Sequence, residues 1–139
     1  MKPASPRPRP IGEHDYAVLS DFRFAIRQFL HFSEDRAGGA GLTPQQHQVL
    51  LAIRAAGAAL TVGDVARRML VKPHSASGLV DRLHAIGLVD RQESPDDRRR
   101  MLVRLTRKAE VLLEGLAQAH RDELLRMRPL LAALLAKLD

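Results

Sequence analysis

The sequence predicts a mainly α-helical domain that carries one short β-hairpin, and three observations support that prediction. Apolar residues recur at three- and four-residue spacing through most of the chain, the period of helices with one buried face. Helix starts are marked by Thr43-Pro44 and Lys72-Pro73, and helix stops by Gly57 and Gly87. One place departs from the helical period: the short runs 88–92 and 101–105 flank Ser94, Pro95, Asp96 and Asp97, which is turn chemistry.

Residues 1–12 hold four prolines and three basic residues and read as a flexible basic, proline-rich arm outside the core. Residues 13–139 read as one domain. Its first helix runs from Glu13 to about Arg36, with Val18, Phe22, Ile26 and Phe29 on one face and Leu19, Leu30 and Phe32 beside it. All the aromatics lie here: Tyr16, Phe22, Phe24, Phe29 and Phe32. The run Ala37 to Gly41 breaks this helix. Thr43 then caps a second helix, with Pro44 in its first turn and Gln46 completing a capping box. That helix carries His47, Val49, Leu50 and Ile53 and stops near Gly57. A short helix over 62–70 turns Val65, Ala66 and Met69 inward. Val71, Lys72 and Pro73 force a turn, because a residue before proline avoids the α region. Pro73 opens a helix to Ile86 with Ala76, Leu79, Val80 and Leu83 facing the core, closed by Gly87. After the hairpin, Thr106 caps a long helix to about Arg128, and Pro129 starts a last, leucine-rich helix.

With 139 residues and 45% apolar content, the chain can bury one ordinary core. Its 27% charged residues argue against a membrane protein and against disorder throughout. No window approaches the ~20 consecutive apolar residues of a spanning helix. The basic N-terminus lacks an apolar stretch behind it, so no secretory signal and no membrane association are expected, and a cytoplasmic location is. The absence of cysteine removes disulfides, thiolate metal sites, cysteine nucleophiles and thiol redox sensing. The six histidines (14, 31, 47, 74, 84, 120) form no i, i+4 pair and no HExxH, so no metal site is expected. Without a glycine-rich phosphate loop or a recognisable nucleophile spacing, neither a cofactor nor an enzyme is expected.

Charge is more informative. Lys and Arg total 22 against 16 Asp and Glu, a net +6, and only four of the basic residues are Lys, which favours bidentate contacts to phosphate and guanine. Residues 61–108 hold eleven basic and six acidic side chains, so most of the excess lies there. That region contains no aromatic residue, which argues against readers of single strands or RNA by stacking. Three short helices, the third entered by a proline turn, followed by a hairpin with a basic tip, are the order of a winged helix-turn-helix. This order suits double-stranded DNA: the third helix offers its N-terminal part to the major groove while the hairpin reaches a minor groove or phosphates.

The segments SASGLVDRLHAIGLVDR (75–91) and DDRRRMLVRLT (96–106) make the chain resemble the MarR (multiple-antibiotic-resistance regulator) family of winged helix-turn-helix transcription factors, from about Asp15 to Leu138. The resemblance implies that 43–105 is the DNA-binding lobe and that 13–42 and 106–139 are dimerisation helices. It implies that Arg99 enters the minor groove while Asp97, its partner in an Asp-x-Arg pattern, braces the wing. Ala109 departs mildly from the family, which often has Gly there. It also implies a small aromatic or lipophilic effector in a crevice between the dimer helices and the lobe, for which Phe22, Phe29, Phe32 and His47 are the candidates. A plainer reading has Phe22, Ile26 and Phe29 filling core and dimer contact. With no cysteine, a peroxide-sensing relative is excluded.

The other candidate DNA contacts come from placement. Lys72 and Pro73 stand at the mouth of the third helix, and His74, Ser75 and Ser77 on its exposed front, where short donors and acceptors suit base edges or phosphates. Ser75 could instead cap the helix. Gly78 costs ~1 kcal/mol of helix propensity and could admit either a DNA backbone or another helix. Arg82 could pair with a nearby acid or reach a phosphate. Arg98 and Arg100, beside Arg99, are phosphate candidates, since three successive arginines at a hairpin tip repel one another without an anion. The leucine stripe over 112–138 is too exposed for a monomer and predicts a homodimer. Its recognition helices would lie about 34 Å apart over a pseudo-palindromic operator. Repression, relieved when a ligand favours another lobe spacing, is the expected mechanism. A nonspecific architectural DNA binder and an effector-independent protein-interaction module are the rivals.

Overall fold

The computed structural model describes residues 8–138. Two long helices, α1 (Glu13–Gly39) and α5 (Arg107–Ala136), enclose in sequence a lobe made of α2 (Pro44–Ala56), α3 (Val62–Met69), α4 (Pro73–Ala85) and three strands. The strands are β1 (Leu60–Thr61), β2 (Val89–Glu93) and β3 (Met101–Leu105), in the order β1-β3-β2 with both pairings antiparallel. Helix α1 runs antiparallel to α5. His14 Nε2 lies 3.0 Å from the Lys137 carbonyl, and His120 Nε2 lies 2.8 Å from Ser33 Oγ.

The lobe forms where its local signals say it should. Thr43 Oγ1 accepts from the Gln46 N–H at 3.1 Å while Gln46 Oε1 accepts from the Thr43 N–H at 3.0 Å. Thr61 and Asp64 repeat the same reciprocal cap on α3, both at 3.0 Å, each satisfying two otherwise orphaned donors. Gly57 and Gly87 take positive φ at the ends of α2 and α4, a conformation that glycine adopts without strain. One core then joins the elements: Val49, Leu50 and Ile53, Val65 and Ala66, Ala76, Leu79, Val80 and Leu83, Leu88, Val89 and Val103, with Leu113 and Leu116 from α5. Full burial of each larger aliphatic contributes roughly 1.5–3 kcal/mol, so the lobe is the stable platform on which α4 and the hairpin stand.

Five details differ from the sequence reading: first, α1 runs on through Ala37, Gly38 and Gly39, where a break was expected, with Ala37 buried. Pro129 lies inside α5 and starts no new helix. Its missing N–H removes one hydrogen bond, but Met127 before it and Leu134 beyond it are both buried, and that packing carries the helix through. Strand β1 has only two residues, paired with Val103 and Leu102, too short to leave a pattern. In mid-α1 the buried residue is Ala25, whereas Phe22 is half-buried and Ile26 exposed. The end of the predicted flexible arm is fastened: Arg9 donates to both carboxylate oxygens of Asp15 at 2.7 and 2.5 Å and to the Leu138 carbonyl at 3.2 Å. The rest of the arm, residues 1–7, lies outside the described residues.

A large apolar surface stays uncovered on the long helices. Tyr16, Leu19, Phe24, Ile26 and Leu30 on α1 and Leu124, Leu125, Leu130 and Leu135 on α5 are each more than 40% exposed. Among the described residues, no helix is long and apolar enough to cross a membrane.

Candidate nucleic-acid interface and apolar groove

Helix α4 buries one face and offers the other. Ala76, Leu79, Val80 and Leu83 are inside, while Lys72, Pro73, His74, Ser75, Ser77 and Arg82 are exposed. Lys72 is the N-cap in extended conformation, Pro73 is the first helical residue, and the first helical bond runs from the Ala76 N–H to the Lys72 carbonyl at 3.1 Å. The N–H groups of His74 and Ser75 are therefore without helical acceptors, at the positive end of the helix dipole. Ser75 does not cap the helix, because the N-cap is Lys72 and makes no side-chain cap bond. Gly78 has nothing within 4 Å of where a Cβ would stand, so among the described residues no helix is closely packed on it, and of its two readings the open one remains. Arg82 makes no ion pair among the described residues; its neighbour Asp81 is taken by Arg91 from β2 at 2.6 Å.

The hairpin tip is built by Asp97. Its Oδ1 accepts from the Arg99 N–H at 3.0 Å, its carbonyl accepts from the Arg100 N–H at 3.0 Å, and the Arg100 carbonyl accepts from the Ser94 N–H at 2.9 Å. This Asx-type turn uses the main chain of the arginines and leaves their side chains in solvent. The Arg99 side chain is 95% exposed, and its Nε is 4.0 Å from Asp97 Oδ1. Arg98, Arg99 and Arg100 thus sit in the turn before β3, not along a strand.

A second feature lies between the lobe and the long helices: an apolar groove of about 860 Å³. Phe29, Leu30, Leu51, Leu113, Leu124 and Leu131 form its walls, and Arg121 and Arg128 also line it. Of the four effector candidates, Phe29 and His47 line the groove, and Phe22 and Phe32 do not. Phe32 instead meets the edge of His120 at 5.5 Å between ring centroids, under the Arg36 guanidinium. Its place in the lining belongs to His120, which the sequence reading missed. Spacing could have found it: Leu113, Leu116 and His120 fall on one stripe of a helix. Burial, and then the nearby His120, hold the His47 imidazole below the usual histidine range. Among the described residues, no group of three or more His, Cys, Asp or Glu side chains could hold a metal ion.

A three-helix lobe closed by a small antiparallel sheet, with a basic β2–β3 tip and an exposed start of α4, defines a winged helix-turn-helix protein. Residues 40–100 match the model of the MarR family. An uncharacterized HTH-type transcriptional regulator of Bacillus subtilis, YfiV, is 36% identical over 87 residues, or 63% of this chain. The match spans 54% of that relative, so about half its length. The solved structure of BpsR from Bordetella bronchiseptica, concerned with regulation of its DNA binding by 6-hydroxynicotinic acid, is 26% identical. It superposes with a TM-score of 0.62 over 82% of this chain and 80% of that one. A point mutant of MepR from S. aureus, bound to an oligodeoxyribonucleotide, shares the fold with a TM-score of 0.70 at 21% identity, over 89% and 98% of the two chains.

Proposed function

We propose that the protein is a homodimeric transcriptional regulator, a repressor, that binds a pseudo-palindromic operator in double-stranded DNA. The observation that carries this reading is the wing tip: Asp97 spends its hydrogen bonds on the main chain of Arg99 and Arg100 and leaves three guanidinium groups in solvent. Arg99 enters the minor groove, where its exposure and charge are suited to the negative potential between the strands. Arg98 and Arg100 meet phosphates. Lys72, with the free N–H groups of His74 and Ser75, receives a phosphate at the start of α4. Ser77, at the open surface beside Gly78, faces base edges.

Dimerisation through α1 and α5 covers the leucines and aromatics exposed there, a surface larger than isolated apolar residues on a monomer require. The groove at the lobe junction accepts a small aromatic or lipophilic effector, whose binding favours a lobe spacing that does not fit the operator. The DNA-bound MepR mutant and the 6-hydroxynicotinic acid control of BpsR support the two halves of this reading by analogy.

Fluorescence anisotropy on a duplex from the upstream region of the gene, against a scrambled duplex across a salt series, tests it. A preference of about a thousandfold or more with a steep salt slope is expected. Equal binding to both duplexes would favour an architectural DNA binder. No binding at low salt would favour a protein-interaction module.

A further inference from the structure

Two histidines meet where the winged helix joins the long helices, and neither the fold nor the wing explains why. His47 comes from α2 and is 6% exposed; His120 comes from α5; their ring centroids are 5.0 Å apart. The His120 ring is fixed on both edges. Its Nδ1 lies 2.6 Å from the Leu116 carbonyl, which can only accept, so Nδ1 carries a hydrogen and donates. Its Nε2 lies 2.8 Å from Ser33 Oγ on α1. In the neutral ring that nitrogen accepts from the serine hydroxyl; in the charged ring it donates to it. Phe29 and Phe32 of α1 present their rings to His120 at 5.9 and 5.5 Å. One contact therefore links all three helices at the junction.

The surroundings favour the uncharged form of His47. From α1 the charged neighbour is Arg36, stacked over Phe32. From α5 they are Arg121 and Arg128 in the groove lining. From α2, among the described residues, the lining adds Gln48 and Leu51 beside His47. A proton added to His47 thus finds cations, aromatic rings and a second imidazole, with burial and the His120 charge both opposing it.

We propose that the His47–His120 contact is a proton-operated latch: neutral rings hold α2 of the DNA-binding lobe against α1 and α5, and mild acid releases it. The sign follows from linkage. His47 binds its proton less readily in the folded chain than in the unfolded one, so the stability it contributes is full at neutral pH. That stability falls as pH drops through the unfolded histidine range, near 6.5, toward the lower folded value. Released lobes sample more spacings, and a dimer that must match two half-sites binds its operator less tightly. This last step rests on the regulator reading above.

The test uses the full chain and two readouts, the thermal unfolding midpoint and the affinity for the upstream duplex, at pH values between about 5.5 and 7.5 where histidine titrates. In the wild type both should fall toward acid. His47→Phe keeps an aromatic ring without a proton site and should flatten both profiles; His47→Gln, which also lacks a proton site in this range, serves as the second variant if the first misfolds. Wild-type acid sensitivity surviving in the folded variant, in either readout, overturns the latch. If the wild type binds no duplex even at neutral pH, the regulator reading fails and the coupling to DNA fails with it. The unfolding profiles then decide the junction contact by themselves.

Discussion

Arg91 on β2 reaches back to Asp81 on α4, Nη1 to Oδ1 at 2.6 Å, and its Nη2 lies 3.3 Å from His84 Nδ1 one turn further along the same helix. The strand that leads to the wing is thereby tied to the helix that carries Ser75 and Ser77. The pair is exposed, 38% for Arg91 and 62% for Asp81, so solvent screening limits its worth to stability. Its consequence is angular, since it fixes how far the three arginines stand from the start of α4. Arg91→Ala and Asp81→Ala should each change unfolding free energy by less than about 1 kcal/mol, while each weakens duplex binding. The double variant should lose no more affinity than the worse single one. A double-mutant cycle measured on both quantities checks this, and strictly additive losses in binding would remove the angular role.

Arg99→Ala tests the wing itself. The side chain is 95% exposed and its main chain, not its guanidinium, makes the turn, so the fold should be unaffected. Binding should weaken on operator and scrambled duplex alike, because a minor-groove or phosphate arginine reads potential more than sequence. Each phosphate-neutralising arginine removed should reduce the slope of log affinity against log salt by about 0.9. Anisotropy across a salt series measures both. An unchanged affinity would dissociate the wing from DNA.

The parts of this structure that were legible in the sequence are those fixed by neighbours within four residues. Thr43 with Gln46 and the proline at 73 placed two helices to within a residue or so, and Ser94 to Asp97 placed the wing turn. What was lost depended on distant partners. Leu60 and Thr61 become a strand only because Leu102 and Val103 lie alongside. Pro129 carries a strong local signal for a helix start, overridden because the helix is already formed before it and anchored after it. His120 acquires its position from Ser33, 87 residues away. Phe22 and Phe32 lie on the same apolar side of α1 as Phe29, but the groove is defined by where α1, α2 and α5 converge, and of the four candidates only Phe29 and His47 reach it.

Asp15 offers a pH dependence at the opposite end of the long helices. Its carboxylate is nearly buried and accepts from both terminal nitrogens of Arg9 and from the Gly12 N–H at 3.0 Å. The Arg9 hydrogen bonds first, and the Gly12 N–H second, hold it well below the usual carboxylate range. A depressed carboxylate contributes stability that is present above the unfolded value, near 3.9, and lost as pH falls toward the folded one. Asp15→Asn should therefore lower the unfolding midpoint at neutral pH, with the gap to the wild type closing in acid below about pH 4. A gap that persists unchanged into acid would mean that the pair contributes through shape and not charge. Because Arg9 also holds the Leu138 carbonyl, the same variant should loosen the end of α5, read as faster amide exchange in its last turn.

Gly78 separates folding from binding most cleanly. It sits within α4 between Ser77 and Leu79, and a Cβ there would meet nothing within 4 Å. On its own, Gly78→Ala should stabilise the helix by about 1 kcal/mol, since alanine has the higher propensity and no contact is disturbed. A position where the better helix former fits without cost, yet glycine stands, invites a reason outside the isolated chain. If a DNA backbone approaches this surface, the added methyl should collide with it, and the variant would gain thermal stability while losing affinity for operator. Differential scanning calorimetry and anisotropy on the same preparation read the two effects. Gained stability with full affinity would place the DNA backbone away from Gly78 and shift the major-groove contact toward Lys72, His74 and Ser75.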